Sequence, residues 1–342
     1  MNYTMKDVAQ RAHVSVSSVS LVLNNKPSRI PRETKERIKK IAKELNYKPN
    51  SAAVLLSKQV SYNIGLIVPD ITNPFFALLT RAIDERLRAS GYSTLFADSD
   101  NSFKREVEII NDMISHGVDG ILLVPSNEFF YQASNKLQKL INGFDKPLIL
   151  LNASSNLNVS SVNFDNVLGA IMATEELINH GHRNIAFIKG KDHFVNAPER
   201  YQGYKDALKK NSLSLNPKYV FEGDYTIQSG YLVAPKIFNQ DDITAILSSN
   251  DLMLFGIIKW AKEHQKNVFK RFSMVGFDNN PYTEIIEVPL TTIDQEIGKM
   301  ADQTINLLLG ILRKEEEKRQ QIVIKPRIIR RSSVKTRSNT EM

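Results

Sequence analysis

The sequence predicts two folds in one chain: a small all-α helix-turn-helix domain at the N-terminus and a two-lobed α/β domain built on parallel sheets. Three observations predict this. At 342 residues the chain is long for one domain. The first 60 residues show only short helical patterns and carry all the excess positive charge. From residue 61 onward, short β-rich runs alternate with amphipathic segments of helical length, as in parallel sheets covered on both faces.

Short helices and their capping residues define the N-terminal domain. A helix needs a side chain that satisfies its free N–H groups, and Ser, Thr, Asp, Asn or Pro stands at each predicted start. In chain order we predict a helix from Thr4 to Ala12, a tight turn at His13-Val14, a helix from Ser15 to Leu23, a third helix with Pro31 at its first position, and a short helix over about 51–58 capped by Asn50.

Charge and helix spacing together point to DNA. Residues 1–60 contain twelve Lys or Arg and four Asp or Glu, so they carry the whole net charge of +8. Two short helices joined by a tight turn form a helix-turn-helix, whose second helix enters the major groove. A solvated helix face or a generic three-helix bundle is the alternative. The side chains spaced to reach base edges are Val16, Ser17 and Leu21, and those spaced to meet phosphates are Lys6, Arg11, Arg29 and Lys35.

The α/β part divides into two lobes because some 270 residues are too many for one small sheet. We expect the chain to cross between the lobes at Leu151–Val162 and at Leu290–Ile293. Lobe 1 then comprises about 61–160 and 293–320, lobe 2 comprises about 161–290 and 321–331, and 332–342 form a polar tail. The predicted strands are Ile64–Val68, Thr94–Ala97, Gly120–Val124, Leu148–Leu151, Asn184–Ile188, Thr244–Leu247, Phe272–Gly276 and a last one near Gln321–Ile324.

Several classes of protein are not indicated. The chain has no cysteine, which removes disulfides, thiolate catalysis and cysteine-based zinc sites. Neither a transmembrane run nor a signal-peptide core is present, so we expect a cytoplasmic protein without a membrane partner. The nucleotide-binding, zinc-protease and nucleophile-elbow motifs are missing, so we expect no enzyme, no cofactor and no metal site.

Several motifs, in a fixed order, carry a resemblance. Thr4-Met5-Lys6-Asp7-Val8-Ala9, Leu45-Asn46-Tyr47-Lys48-Pro49-Asn50, Pro69-Asp70-Ile71-Thr72-Asn73-Pro74-Phe75-Phe76 and Val275-Gly276-Phe277-Asp278 resemble landmarks of the lactose-repressor (LacI-type) family. The resemblance implies a homodimeric repressor that binds double-stranded DNA at an inverted-repeat operator. It also implies a periplasmic-binding-protein-like sensor domain, a headpiece over 1–48, and a hinge helix and linker over 49–60.

The same resemblance implies a DNA-binding set. Hinge helices of two chains would pair in the minor groove, with Leu56 as the apolar wedge and Ala53 beside it. Leu21 stands where the family often has Arg and cannot make the bidentate contact to guanine, so we expect the helix to read thymine methyls or DNA shape. The full set is Thr4, Lys6, Ser15, Val16, Ser17, Ser20, Leu21, Asn24, Arg29, Asn50, Ala53 and Leu56.

A cleft between two α/β lobes is a natural ligand site. The resemblance places an arginine, Arg200, and a carboxylate, Asp278, in it, a pair suited to hydroxyl groups. Arg200 as a surface charge and Asp278 as a turn cap are the alternatives. Sugars or sugar derivatives are the expected effectors; a purine-like corepressor, or a sugar-binding protein without a DNA role, are the other readings. The candidate effector residues are Asn73, Phe76, Ser126, Asn152, Arg200, Tyr225, Asn250 and Asp278.

Overall fold

A computed structural model of the chain describes residues 3–23, 26–47, 60–129, 143–152, 159–315 and 319–337. These divide into two compact units, Met1–Ser61 and Tyr62–Met342. Within the described ranges, no helix combines the length and the apolar character needed to cross a bilayer. The predicted helix over about 51–58 lies outside the described residues, as do Asn24, Asn50, Ala53 and Leu56.

The N-terminal unit contains the three predicted helices, α1 (Met5–Ala12), α2 (Val16–Leu23) and α3 (Arg32–Glu44). Apolar side chains at helical spacing meet in one small core. His13 has φ 52° and ψ 48°, the left-handed conformation that turns the chain from α1 into α2. Pro31 is the N-cap of α3 rather than its first residue, because its ψ of 148° is extended.

Side-chain caps fix the starts of α1 and α2. The Asp7 carboxylate accepts from the Thr4 N–H at 2.6 Å and from its hydroxyl at 2.7 Å. These bonds hold the pKa of Asp7 below its ordinary value. The Ser15 Oγ accepts from the Ser18 N–H at 3.1 Å. The predicted cap residues therefore do stabilise the helix starts that define the turn.

The larger unit is built on two six-stranded sheets. The strands of the first sheet lie in the order β11-β5-β4-β3-β1-β2 and are all parallel; those of the second lie in the order β12-β10-β9-β8-β6-β7, with β12 antiparallel to β10. In chain order they are β1 (Asn63–Val68), β2 (Ser93–Asp98), β3 (Gly120–Leu123), β4 (Leu148–Leu151), β5 (Ser160–Phe164), β6 (Ile185–Lys189), β7 (Val220–Glu222), β8 (Ala245–Ser248), β9 (Ser273–Phe277), β10 (Thr291–Asp294), β11 (Gln321–Ile324) and β12 (Arg327–Ile329).

Helices cover both faces of each sheet and bury its branched side chains. The fold class predicted from the sequence is confirmed. The helices are α4 (Pro74–Ala89), α5 (Phe103–Ser115), α6 (Asn166–Asn179), α7 (Ala197–Lys210), α8 (Ile227–Phe238), α9 (Asp251–Glu263), α10 (Val268–Arg271) and α11 (Ile297–Leu312), with 3-10 turns at Pro217–Tyr219 and Pro281–Glu284.

The structure moves each of the predicted crossings between the lobes. β5 pairs with β4 in the first sheet, so the first crossing follows Phe164 rather than falling within Leu151–Val162. β10 pairs with β9, so the second follows Asp294. β11 belongs to the first lobe, not the second, so the change of lobe expected near residue 320 instead lies between Ile324 and Arg327. β5 and β10 contain polar residues, so the sequence lacks the apolar run that usually marks a buried strand. Their side chains are buried with hydrogen-bond partners rather than in an apolar core.

Residues 332–337 do not form a free polar tail. Ser333 is 2% exposed; its hydroxyl donates to the Met274 carbonyl at 2.6 Å and accepts from the Thr291 N–H at 2.8 Å. The Met274 N–H donates to the Ser333 carbonyl at 2.9 Å. The segment therefore lies along the second sheet, where the Ser333 hydroxyl pairs with backbone groups of Met274 and Thr291.

Candidate functional site

A cavity opens at the carboxyl ends of the strands of both sheets. Its volume, including the part open to solvent, is about 770 Å³. Asp70 follows β1, Asn152 follows β4, Asn250 follows β8, Asp278 follows β9 and Gln295 follows β10. Carboxyl ends of parallel strands are where α/β folds place ligands, so this is the site that the topology favours.

The structure brings seven of the eight predicted effector residues to this cavity. Sequence reasoning missed several others, most of which directly follow strands or open the next helix and are recognisable only once the strand ends are known. The predicted residues present are Asn73, Phe76, Asn152, Arg200, Tyr225, Asn250 and Asp278, and the missed polar ones are Asp70, Asn101, Asn127, Asn196, Asp224, Thr226 and Gln295.

Arg200 is a buried charge, only 4% exposed. Its Nη1 lies 3.8 Å from the Asp278 Oδ1. Its Nε donates to the Asn166 Oδ1 at 2.9 Å, and Nη1 also donates to the Ser249 carbonyl. The guanidinium lies 3.9 Å from the centroid of the Phe277 ring. The alternative of a surface helix charge is therefore wrong, because the Arg200 guanidinium is buried and most of it contacts other residues of the protein.

Asp278 stands in a constrained conformation, with φ 104°. Its Oδ1 accepts from the Gln295 Nε2 at 2.5 Å. Burial raises the pKa of Asp278 to about 6, while Arg200 and the Gln295 bond oppose the rise. The carboxylate is therefore ionised at neutral pH. The turn that follows is capped by Asn280, whose side chain accepts from the Tyr282 N–H at 3.0 Å, so Asp278 is not the cap.

Two of the predicted asparagines are helix caps. The Asn250 Oδ1 accepts from the Met253 N–H at 3.1 Å, and its Nδ2 donates to the Tyr225 carbonyl at 2.8 Å. The Asn73 Oδ1 accepts from the Phe75 N–H at 3.1 Å. Both side chains line the cavity, but they also fix α9 and α4 at its edge. Asn250 further holds the backbone of Tyr225, which has φ 68°.

Three buried polar atoms on the cavity wall have no hydrogen-bond partner among the described residues. They are the Tyr225 hydroxyl, the Asn152 Oδ1 and the Gln295 Oε1. Burial raises the pKa of Tyr225 to about 12, so the hydroxyl is protonated. Buried polar atoms are almost always paired, and leaving one unpaired costs about 1–3 kcal/mol. All three atoms belong to residues that line the cavity, but the atoms themselves are buried within its wall.

Ser126 is not on the cavity. It is fully buried, and its N–H donates to the Glu106 Oε2 at 2.7 Å, while the neighbouring Pro125 and Asn127 line the cavity instead. Side chains alternate in direction along extended backbone, and position 126 turns inward. Ser126 is therefore corrected from a lining residue to one behind the wall, where Glu106 holds its backbone.

Glu106 should make stability depend on pH. Burial raises its pKa to about 7 from an ordinary 4.5, and Glu128 adds to the rise, although the bonds from Ser126 oppose it. A raised folded-state pKa contributes stability that is complete below pH 4.5 and lost as the pH rises through 7, at most about 3 kcal/mol. We expect Glu106→Gln to flatten the fall in melting temperature between pH 5 and 8. Glu108→Gln, at an exposed position of the same helix, is the control; equal pH profiles for wild type and Glu106→Gln would contradict the prediction.

The second candidate surface is the first turn of α2. Val16 is 41% exposed despite being apolar, and Ser17 beside it is exposed. Leu21 lies half-buried one turn further on, as does Ser20. The predicted phosphate contacts Lys6, Arg11 and Arg29 are exposed, whereas the Lys35 Nζ lies 3.4 Å from the Ser28 carbonyl. The Ser15 and Thr4 side chains hold the helix caps described above.

Comparisons with known proteins match two parts of the chain to two family descriptions. Residues 4–50 match "Bacterial regulatory proteins, lacI family", and residues 174–334 match "Periplasmic binding protein-like domain". Catabolite control protein A of Priestia megaterium is 31% identical over 338 residues, covering 98% of this chain and 100% of that protein. The HTH-type transcriptional repressor PurR of Histophilus somni is 31% identical over 335 residues, covering 97% and 99%.

A solved structure extends the likeness to the whole fold. The transcriptional regulator CelR–cellobiose complex is 25% identical, covers 97% of this chain and 100% of its own, and has a TM-score of 0.72. The two family matches occupy the two units that the structure separates. The chain therefore belongs to the lacI family of bacterial regulatory proteins and is a DNA-binding transcription regulator with a ligand-binding domain.

Proposed function

We propose that this regulator is a repressor that binds an inverted-repeat operator as a homodimer and that a small molecule in the cavity, a sugar or sugar derivative, controls its affinity for DNA. The observation that carries the proposal is the buried Arg200–Asp278 pair in a cavity lined mostly by polar side chains. Hydroxyl groups match such a lining because each both donates and accepts. Cellobiose in the CelR complex is a ligand of that kind.

A purine-like corepressor is the second candidate. Phe76 and Tyr225 both line the cavity, and aromatic rings stack on flat bases as well as on sugar faces. A sugar-binding protein without a DNA role is disfavoured, because the basic N-terminal unit would then have no purpose. Binding of nucleosides but not of monosaccharides would favour the purine reading.

On the DNA side, α2 would lie in the major groove. The exposed methyl groups of Val16 suit the thymine methyl, and Ser17 can hydrogen-bond to any base. Exposed apolar side chains on the larger unit support association of two chains. Tyr282 is 55% exposed and Ile285 77%, and Leu95 and Phe96 are exposed on the edge strand β2.

The test is selection of operator sequences from random double-stranded DNA by the full-length protein, followed by affinity measurements at several salt concentrations. We expect an inverted repeat to be enriched and log K to fall with log salt by about 0.9 for each phosphate contacted. Lys6→Gln should lower that slope by about 1. Lys218→Gln, which removes an exposed lysine of the larger unit, should leave it unchanged. No enriched sequence, or equal slopes for the two variants, would overturn the DNA assignment.

A further inference from the structure

We propose that the cavity takes a ligand that has no anionic group, so that it discriminates against phosphorylated and carboxylated compounds. The inference deepens, and rests on, the proposed function, since it presumes that a small molecule in this cavity controls the regulator. It concerns the charge of that molecule, which the family match leaves open.

Charge on the wall is the first argument. Asp70, Asp224 and Asp278 line the cavity, and Arg200 is the single Lys or Arg among the described lining residues. Burial raises the pKa of Asp224, but hydrogen bonds from Thr226 and Ser229, together with the charge of Lys191, outweigh it and hold the pKa below its ordinary value. The wall therefore carries an excess of negative charge at neutral pH. An anionic ligand would meet repulsion in a partly enclosed site, where charges are weakly screened.

The state of Arg200 is the second argument. Arginine usually recognises phosphate or carboxylate through its free fork of N–H groups. Here Nε is engaged by Asn166, Nη1 by the Ser249 carbonyl, and one face of the guanidinium by Phe277. Asp278 already supplies the counter-charge at 3.8 Å. An anion could therefore use the fork formed by Nε and Nη1 only by displacing these contacts.

Helix starts at the cavity give the third argument. Helices α4, α7, α8 and α9 begin at its wall, and free N–H groups at helix starts ordinarily attract anions. Three starts already have side-chain acceptors: Asn73 accepts from Phe75, Thr226 from Ser229 and Asn250 from Met253.

The remaining start, that of α7, is unsuited to an anion for a different reason. Pro198 in its first turn has no N–H to donate, and Glu199 beside it adds a carboxylate. The Glu199 Oε2 accepts from the Asn166 Nδ2 at 2.9 Å, which fixes the carboxylate near Arg200's partner. At each of the four helix starts, at least one backbone N–H is therefore already paired with a side chain or absent.

The polar groups of the lining both donate and accept hydrogen bonds. The carboxylates of Asp70, Asp224 and Asp278 are acceptors, and the amide side chains of Asn101, Asn127, Asn152 and Asn196 carry N–H donors as well as acceptor oxygens. A polyhydroxy compound donates and accepts at each O–H and therefore suits this lining, whereas a phosphate adds negative charge beside the carboxylates.

The experiment compares matched probes on the full-length protein by thermal shift, calorimetry and operator binding. The pairs are D-glucose with D-glucose 6-phosphate, D-ribose with D-ribose 5-phosphate, and adenosine with AMP. A bacterial small-molecule extract, divided by anion exchange into unretained and retained fractions, covers compounds outside the panel.

We expect uncharged probes and the unretained fraction to change the melting temperature and the operator affinity. Each phosphorylated partner of an active probe should bind at least about tenfold more weakly. Equal or tighter binding of a phosphorylated partner, or activity confined to the retained fraction, would overturn the inference while leaving the proposed function intact. If neither fraction changes melting or operator affinity, ligand control itself is wrong and the inference falls with it.

Charge-only variants test the cause. Asp70→Asn with Asp224→Asn removes two charges but keeps the acceptors that hold both turns, since each Oδ1 accepts from a backbone N–H two residues on, at 2.8 and 3.1 Å. In wild type the uncharged probe should bind about tenfold more tightly than its phosphorylated partner. This ratio of affinities should fall by a factor on the order of three for each charge removed. Asp241→Asn, at the amino-terminal end of β8 and fully exposed, is the matched control. A preference unchanged in the double variant would show that these carboxylates do not set it.

Discussion

Operator binding by the Asp278→Asn variant should no longer respond to the small molecule at concentrations that saturate the wild type. Asparagine keeps an Oδ1 for the Gln295 bond but removes the charge that faces Arg200. Losing a charge-assisted hydrogen bond costs about 1.5–3 kcal/mol, which is roughly 10- to 100-fold in ligand affinity. Operator affinity without ligand should stay near wild type, because the substitution lies in the larger unit, outside the helix-turn-helix.

Three measurements distinguish a ligand-binding role of Asp278 from a structural one: the melting temperature, the operator affinity without ligand, and the operator affinity with ligand. A stable variant that responds at wild-type ligand concentrations would contradict the assignment. A lower melting temperature together with weaker DNA binding would show that Asp278 is structural.

In the wild type, ligand affinity should also decrease as the pH falls through about 6, where Asp278 becomes protonated and can no longer act as a charged acceptor.

Gly256→Ala should destabilise the second lobe strongly. Helices α8 and α9 cross so closely that a Cβ at Gly256 would overlap the Ile227 carbonyl oxygen and lie 2.5 Å from the Tyr231 nitrogen. Both obstacles are backbone atoms, which cannot move aside without separating the helices. Overpacking of this kind costs about 1–3 kcal/mol, and we expect a lower melting temperature by several degrees.

Gly298→Ala is the matched control for this substitution. Gly298 also lies in a helix, α11, but the nearest atom to its added Cβ is the Arg86 Nη2 at 3.8 Å. Removing a glycine from an open helix position should stabilise the protein by about 0.5–1 kcal/mol. If both variants melt at the same temperature, the close crossing of α8 and α9 does not limit stability.

The elements that the sequence predicts well are those with a local physical signature. Ser15 indicates a helix start and His13 a left-handed turn, and the apolar runs of β1 and β4 indicate buried strands. β5 escaped prediction because Ser160, Ser161 and Asn163 look like a loop, yet all three are buried. No local pattern indicates that such side chains will find partners in a distant part of the chain.

The site was predictable in its identity but not in its internal organisation. Position in the motifs indicated Arg200 and Asp278, and the structure places them together in the cavity. Gln295 was missed because it follows β10, a strand interpreted as a crossing. The direction of Ser126 and the capping bonds of Asn250 depend on where β3 and β8 end. These are properties of the assembled fold.

The three crossings between lobes also have a consequence for synthesis. Neither lobe is a continuous stretch of chain, since the edge strand β11 of the first sheet is separated from its partner β5 by the body of the second lobe. A nascent chain emerging from the ribosome therefore holds an unfinished first lobe, with the edge of β5 unpaired, until residues 321–324 have been made. Domains ordinarily fold as units during translation. Here each sheet lacks its last-made strand until residues 321–329 have been synthesised, so a chain interrupted before them leaves β5 and β10 each with an unpaired edge.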